Sequence, residues 1–344
     1  MPLRVLMLTT SWPTPGQPRT THFIKRQADY LREAGVDIDV FHFQARRRPA
    51  NYVRAWRQVR PRLRSGRYDL VHAQFGQSGL LALPKQVPLV VTLRGSDLLG
   101  IVGRDGRYTM AGRIAQRLTR LVARRADAVI VVSPHMKQFL SRATRVSVVP
   151  SGLDFNLFRC VARDEARDRA GLPRGKRLVL FAGNPKEARK RYDLARQAVD
   201  LLNGSTPAEL VVAWGVPHEQ VPLYMSGCDA MVFTSMQEGS PNVVKEALAC
   251  DLPVVSVPVG DVADRLAGVD GCELCSDDHP ATIAAALERV LHRGGRVNGR
   301  AAVAHLDEAL LTQKVIRLYQ DVLARARRGA SAPVHRGAPA DVGA

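Results

Sequence analysis

Two carboxylates, Glu238 and Glu246, stand on either side of a Ser-Pro-Asn triplet in the stretch QEGSPNVVKEALA. The run before it, DAMVFTS, and the run after it, LPVVSV, are short and apolar, so the unit reads as strand, loop, helix, strand. Ser240 is a good N-cap, and Pro241 fits the first helical position, where a missing N–H costs nothing. The backbone N–H groups of Asn242 and Val243 then point out of the carboxyl end of the sheet. With the positive end of the helix dipole behind them they make a seat for an anion. Glu246 follows Asn242 by one helical turn on the same face, while Glu238 stands on the loop in front. Carboxylates only accept hydrogen bonds, so two of them around an anion seat suit a ligand that carries hydroxyls beside its phosphates, as a nucleotide sugar does.

The rest of the chain supplies elements that would hold such a seat. Residues 3–9 form an apolar strand, SWPTPGQPRT a Pro/Gly loop, HFIKRQADYLREAG a helix that stops at Gly35, and VDIDVFHF an alternating strand. YDLVHA, PLVVTLRG, DAVIVVS and VSVVPSG continue the strands, with a helix around Arg113 to Arg124. RLVLFAG, AELVVAWG, DAMVFTS, LPVVSV and GCELC repeat the theme in the second half. Alternating strands and helices define an α/β chain with two doubly wound, Rossmann-like parallel sheets and a cleft between them. The join falls near VVPSGLDFNLF, giving an expected first domain at 1–152, a second at 153–310 and a closing helix at about 311–328. Residues 329–344 are rich in Ala, Pro and Gly without apolar periodicity and read as a flexible tail.

Composition narrows the class. The 344 residues are 46% hydrophobic and 24% charged, which excludes a disordered or fibrous chain, and no run approaches the ~18 apolar residues of a membrane span. MPLRVLMLTTSW lacks the basic start and cleavage site of a signal peptide, so a cytoplasmic location is expected. Five cysteines, an odd number in mostly apolar context, fit a reducing compartment. Cys272 and Cys275 form a lone C-x-x-C and read as a loop rather than a metal or redox site. The net charge of +18 is one-sided: residues 1–150 hold 26 Lys and Arg against 8 Asp and Glu, and residues 151–344 hold 24 against 24. An anionic partner on the first half alone is implied.

QEGSPNVVKEALA, together with FAGNPKEARKRYDLA and VVPSGLDFNLF, resembles the retaining nucleotide-sugar glycosyltransferases of the GT-B fold, family 4. The similarity runs from Val5 to about Leu323, and within the family it looks most like bacterial envelope polysaccharide enzymes of the teichuronic acid type. The resemblance implies two facing domains, the donor held by the second and a hydroxyl acceptor by the first, with the last helix crossing back. Carried over, Glu246 would bind ribose hydroxyls, Glu238 would face the transferred sugar, and Gly239, Ser240, Pro241, Asn242 and Val243 would hold the diphosphate or sugar. Lys190 matches the family's phosphate-binding lysine. The arginine that usually follows the strand-ending glycine is absent, since Gly183 is followed by Asn184, and Arg189 or Arg191 would compensate.

In the first half TLRGSD puts Arg94 where many relatives carry a histidine; an arginine holds a sugar oxygen or phosphate but is no general base. Asp97 reads equally as a helix cap or an active-site carboxylate. The loop WPTPGQPRTTHF replaces the usual Gly-Gly loop and offers Gly16, Thr20, Thr21 and His22 as cleft candidates. His72, at a strand end, is a further candidate, with core packing the better reading. WGVPHEQVPLYM is expected to contribute to the base pocket. Neither a cofactor nor a metal is expected: the second half has no D-x-D between short strands.

Residues 45–67 carry nine arginines, with Trp56, Val59 and Leu63 at helical spacing from Val53, and Pro61 is expected to bend or restart the helix. Such a basic amphipathic segment, Arg46 to Arg67, suits an anionic membrane surface, with nucleic acid the lesser alternative. Taken with the family resemblance, the segment favours a lipid-linked or membrane-proximal acceptor, or a cell-envelope glycan precursor, over nucleic acid. A UDP-sugar 2-epimerase and a non-catalytic glycan or anion binder are the other classes; the joint presence of Glu238, Glu246 and Lys190 weighs against the binder.

Overall fold

The computed structural model describes residues 2–14, 22–45, 48–103 and 106–331. The first half runs β1 (Arg4–Thr9), α1 (His22–Glu33), β2 (Asp37–His42), α2 (Pro49–Arg64), β3 (Leu70–Gln74), β4 (Leu89–Leu93), α3 (Ser96–Leu99), α4 (Met110–Arg125), β5 (Ala128–Val131) and β6 (Val146–Val148). The second runs α5 (Arg163–Ala170), β7 (Leu178–Phe181), α6 (Tyr192–Leu202), β8 (Glu209–Val212), α7 (Val221–Gly227), β9 (Ala230–Phe233), α8 (Asn242–Ala249), β10 (Val254–Ser256), α9 (Val262–Leu266), β11 (Glu273–Leu274), α10 (Pro280–Arg293), α11 (Gly299–Val303) and α12 (Glu308–Ser331).

Two parallel sheets result, ordered β2-β1-β3-β4-β5-β6 and β11-β10-β9-β7-β8. Each begins in the middle and reverses once, so the halves share one winding, with switch points between β1 and β3 and between β7 and β9. Ligands in open α/β sheets sit outside the carboxyl ends of the strands at such points. The central strands are apolar throughout because helices cover both faces: Leu70, Val71, Leu89, Val90, Leu178 and Val179 are all fully buried.

Two chain segments join the halves side by side. Leu153 N donates to Leu306 O at 2.8 Å and Glu308 N to Leu153 O at 3.0 Å, so the outgoing and returning strands form a short parallel bridge. α12 then crosses back onto the first sheet, where Val315, Tyr319 and Val322 join a core with Val5, Ile24 and Leu31. α2 differs from expectation. It continues through Pro61 without restarting, since Ala55, Val59 and Leu63 are buried on the first core and offset the ~3 kcal/mol an interior proline costs.

Candidate functional site

A cavity of about 800 Å³ lies where the carboxyl edges of the two sheets meet, lined by the loops after β3, β4, β7 and β9 and by the start of α8. On the second sheet, β7 ends in Ala182, Gly183 and Asn184, and a short turn at Ala188–Lys190 leads into α6. The Lys190 ammonium donates to Glu238 Oε1 at 2.7 Å, and the Arg189 guanidinium donates to the same oxygen. Burial alone would raise the Glu238 carboxyl, but Lys190 and Arg189 outweigh it and hold it below its ordinary value. Arg189 lines the cavity beside Lys190, whereas Arg191 turns away to Asp278 and the Thr234 carbonyl.

The helix start differs by one residue from expectation. Asn242 is the first residue of α8, Pro241 is the extended residue before it, and Ser240 donates to Asp261 Oδ2 at 2.8 Å instead of capping. Arg265 also donates to that oxygen and fixes the Asp261 carboxylate beside Ser240. Gly239, Ser240, Pro241, Asn242 and Val243 all line the cavity, and Asn242 Oδ1 is buried without a partner among the described residues. One turn into α8, Glu246 also lines the cavity, and its carboxylate makes no hydrogen bond to a described residue. Burial pushes its carboxyl up, against the pull of Arg26 and Lys245. Lys245 faces the other way, fully buried, with its Nζ on the Ser151 carbonyl at 3.0 Å.

The first sheet contributes a different wall. Arg94 donates to Gln74 Oε1 at 2.6 Å, Ser151 Oγ at 2.7 Å and Gln27 Oε1 at 3.2 Å, and lies over the Phe23 ring at 4.7 Å. Burial lowers its guanidinium to about 10, so it stays cationic. Asp97 neither caps a helix nor points a free carboxylate at a ligand. It folds its own loop, accepting from the backbone N–H groups of Arg94, Gly95 and Gly76 at 2.9 to 3.1 Å. Gly95, at φ +152°, and Gly239 meet across the cavity. A Cβ on Gly239 would stand 2.5 Å from Arg94 O, so the close approach of the two walls requires glycine there.

Further bonds tie the walls together: Ser133 Oγ donates to Gly239 O at 2.7 Å and Gln237 Nε2 to Leu99 O at 3.2 Å. His22, at the start of α1, stacks on His218 with ring centroids 4.2 Å apart. Burial lowers both imidazoles, His218 to about 4, with His22 adding to the fall.

The structure therefore gathers Glu238, Arg94, Gly183, Asn184, Arg189, Lys190, the 239–243 loop, Glu246, His22 and Asp97 around one cavity. His72 is a correction. It is fully buried in the first core, Nδ1 on the Tyr319 hydroxyl at 2.6 Å and Nε2 on Thr92 Oγ1 at 2.7 Å, and does not line the cavity. The apolar strand around it offers no route for the ring to the edge. Gly16, Thr20 and Thr21 lie outside the described residues. The loop WGVPHEQ does reach the cavity, through Trp214 and His218. Sequence reasoning missed Arg26, which lines the cavity while donating to Glu308 Oε2 and Gly152 O. Its spacing of four from His22 on one helix was the available signal. It also missed Gln27 and Gln74, which nothing in the sequence marks as Arg94's partners.

Two strand-ordered sheets facing across a cavity with a helix start, a lysine and paired glutamates on one wall define a GT-B glycosyltransferase. Residues 3–152 match the glycosyl transferase 4-like domain and residues 177–293 match glycosyl transferases group 1, and the chain belongs to that family of glycosyltransferases. It is 26% identical to a Bacillus subtilis protein named as the teichuronic acid biosynthesis glycosyltransferase TuaC, over 76% of this chain and 82% of that one. It is 29% identical to D-inositol 3-phosphate glycosyltransferase 1 of Catenulispora acidiphila, over 70% and 68%. Among solved structures, sucrose-phosphate synthase from Thermosynechococcus elongatus superposes with a TM-score of 0.76 at 18% identity, covering 94% of this chain and all of that one. Anabaena HepE with UDP-glucose superposes at 0.61 and 16% identity, over 95% of this chain and all of that one.

Proposed function

We propose that this chain is a retaining, metal-independent glycosyltransferase that moves a sugar from a nucleoside diphosphate sugar to the hydroxyl of a lipid-linked or envelope-glycan precursor. In this reading the diphosphate rests on the amides of Asn242 and Val243, Lys190 and Arg189 neutralise the charge that develops as it leaves, and Glu246 accepts from the ribose hydroxyls. Glu238 faces the sugar, held ionised by its two cations, and Arg94 holds a sugar or phosphate oxygen from the opposite wall. The acceptor hydroxyl attacks on the face the phosphate departs from, and the departing phosphate takes its proton. Fixed cations and the helix dipole supply what a metal would otherwise supply. Trp214 and His218 border the base. The basic first half would keep the protein near an anionic membrane surface, where a lipid-linked acceptor resides.

The observation that carries this reading is Glu246: a carboxylate without a hydrogen bond to a described residue, one turn behind a helix start and in the same cavity as Lys190. Solved structures of similar fold that are named for UDP complexes make UDP the first nucleotide to try. The test is a thermal-shift panel of UDP, GDP, ADP and their sugars, with and without magnesium, on the wild type and Glu246→Ala. One nucleotide should raise the Tm without magnesium, and Glu246→Ala should weaken its binding about 10- to 100-fold, as expected for the loss of a charged hydrogen-bond acceptor. Equal shifts in both proteins would remove Glu246 from the donor site. A shift that appears only with magnesium would overturn the metal-independent mechanism.

A further inference from the structure

The first half carries two arginine-rich helices, and α4 leaves the longer and more exposed apolar stripe: α2 exposes only Val53, at 50%, and Trp56, at 37%. On α2, Val59 and Leu63 are 0% and 4% exposed, Trp56 Nε1 donates to Leu83 O, and Arg60 is buried against Pro84 O. On α4, Met110, Ile114 and Leu121 are 79%, 52% and 43% exposed. At 3.6 residues per turn those three project within roughly 40° of one another, with Arg113, Arg117, Arg120 and Arg124 along one flank and Arg125 on the other. None of these five arginines pairs with a carboxylate among the described residues, whereas α2 spends Arg62 on Asp39.

α4 is also fastened to the cavity rim. Thr109 N donates to Ile101 O at 2.9 Å, Gln116 Nε2 to Leu99 O at 2.7 Å, and Gly112 packs on Ile101, while Leu99 and Ile101 line the cavity. We infer that α4 is the surface by which this protein docks on an anionic lipid bilayer, Met110, Ile114 and Leu121 entering the acyl boundary and the arginines meeting lipid phosphates. Unpaired cations on the flanks match anionic headgroups, and the exposed apolar stripe gives a bilayer what nucleic acid would not use. Docked there, the cavity mouth lies beside the membrane. The inference rests on the lipid-linked acceptor reading above and gives it a geometry.

The experiment is co-sedimentation of the full chain with vesicles of phosphatidylglycerol and phosphatidylcholine, against vesicles of phosphatidylcholine alone and against a DNA duplex, without donor or acceptor. Binding to the anionic vesicles that weakens with salt is expected. The variant Met110→Gln/Ile114→Gln/Leu121→Gln, with charge unchanged, should lose at least tenfold in vesicle affinity, and each of Arg113→Gln and Arg117→Gln about fivefold. Arg54→Gln/Arg57→Gln on α2 lowers the charge by as much and should have a smaller effect than the α4 pair. Unchanged binding by the triple variant, equal losses from the α2 and α4 arginine pairs, or binding to duplex but not to vesicles would each overturn the inference. Nucleotide thermal shifts on the same variants separate this outcome from failure of the donor site: a docking failure leaves the UDP shift in place.

Discussion

The two walls of the cavity use charge in opposite ways. On the second-half wall, Lys190 and Arg189 share one Glu238 oxygen at the cavity edge and the Glu246 carboxylate has no hydrogen-bond partner among the described residues, so an unengaged charged group faces space. On the first-half wall, Arg94 gives its N–H groups to Gln74, Ser151 and Gln27, and Asp97 gives both oxygens to backbone amides, so the charged atoms are arranged around each other. Groups that face space are available to a ligand at little reorganisation. Groups locked into a buried network set the shape of the wall, and their loss is felt by the fold as well as by any ligand.

Substitutions on the two walls should therefore separate activity from stability. Lys190→Ala carries the largest expected effect: turnover falls roughly 10²- to 10³-fold, as for the loss of one preorganised charge contact to a leaving group, with Tm little changed. Steady-state kinetics beside a melting curve checks it, and a large fall in Tm would erase the contrast. Arg94→Lys keeps the charge and loses the fork. It should cut turnover and also destabilise by about 1–3 kcal/mol, because Gln74 Oε1, which takes two N–H groups of Arg94, is left short of donors in a buried site. If activity falls while Tm holds, Arg94 belongs with the ligand-facing groups and the comparison fails on that side.

Near neutral pH the smallest effect is one of protonation. His72 sits at about 3, below the ordinary 6.5 of histidine, because burial disfavours its charged form and Arg94 adds to it. With the folded value depressed, the unfolded chain binds the proton first. Stability is then full above pH 6.5 and declines as pH falls from there toward 3, by at most about 1.4 kcal/mol per pH unit from this group. His218, lowered to about 4, acts in the same direction at the cavity stack. Urea titrations at pH 7 and pH 5 should show the loss, and His72→Gln should flatten it. An equally steep slope in the variant would place the proton uptake elsewhere.

Much of the second half was legible from local signals. Periodicity placed the strands, and the helix start, the lysine and the two glutamates fell into one cavity because a βαβ unit delivers its loops to the carboxyl edge whatever its neighbours do. The N-cap was misread by one residue, since Asp261, 21 positions away, takes the Ser240 hydroxyl. The first half was less legible. His72 was a cleft candidate with core packing the better reading, and what sequence could not show is that α12 returns from the far end of the chain and seals it with Tyr319. The arginine-rich α2 drew attention by composition, yet the core takes its Val59 and Leu63 and leaves only Val53 and Trp56 exposed, while α4 keeps the longer open stripe.

The sequence by itself determined the two doubly wound sheets, the order of their elements and the Glu238–Glu246 unit of the second-half wall, because each rests on residues near one another in the chain. Tertiary structure alone decided which histidines face the cavity, which oxygens hold Arg94 and which basic helix is uncovered. Those outcomes depend on burial against segments up to 247 positions away, and burial is what turns the same side chain from a ligand contact into a core residue.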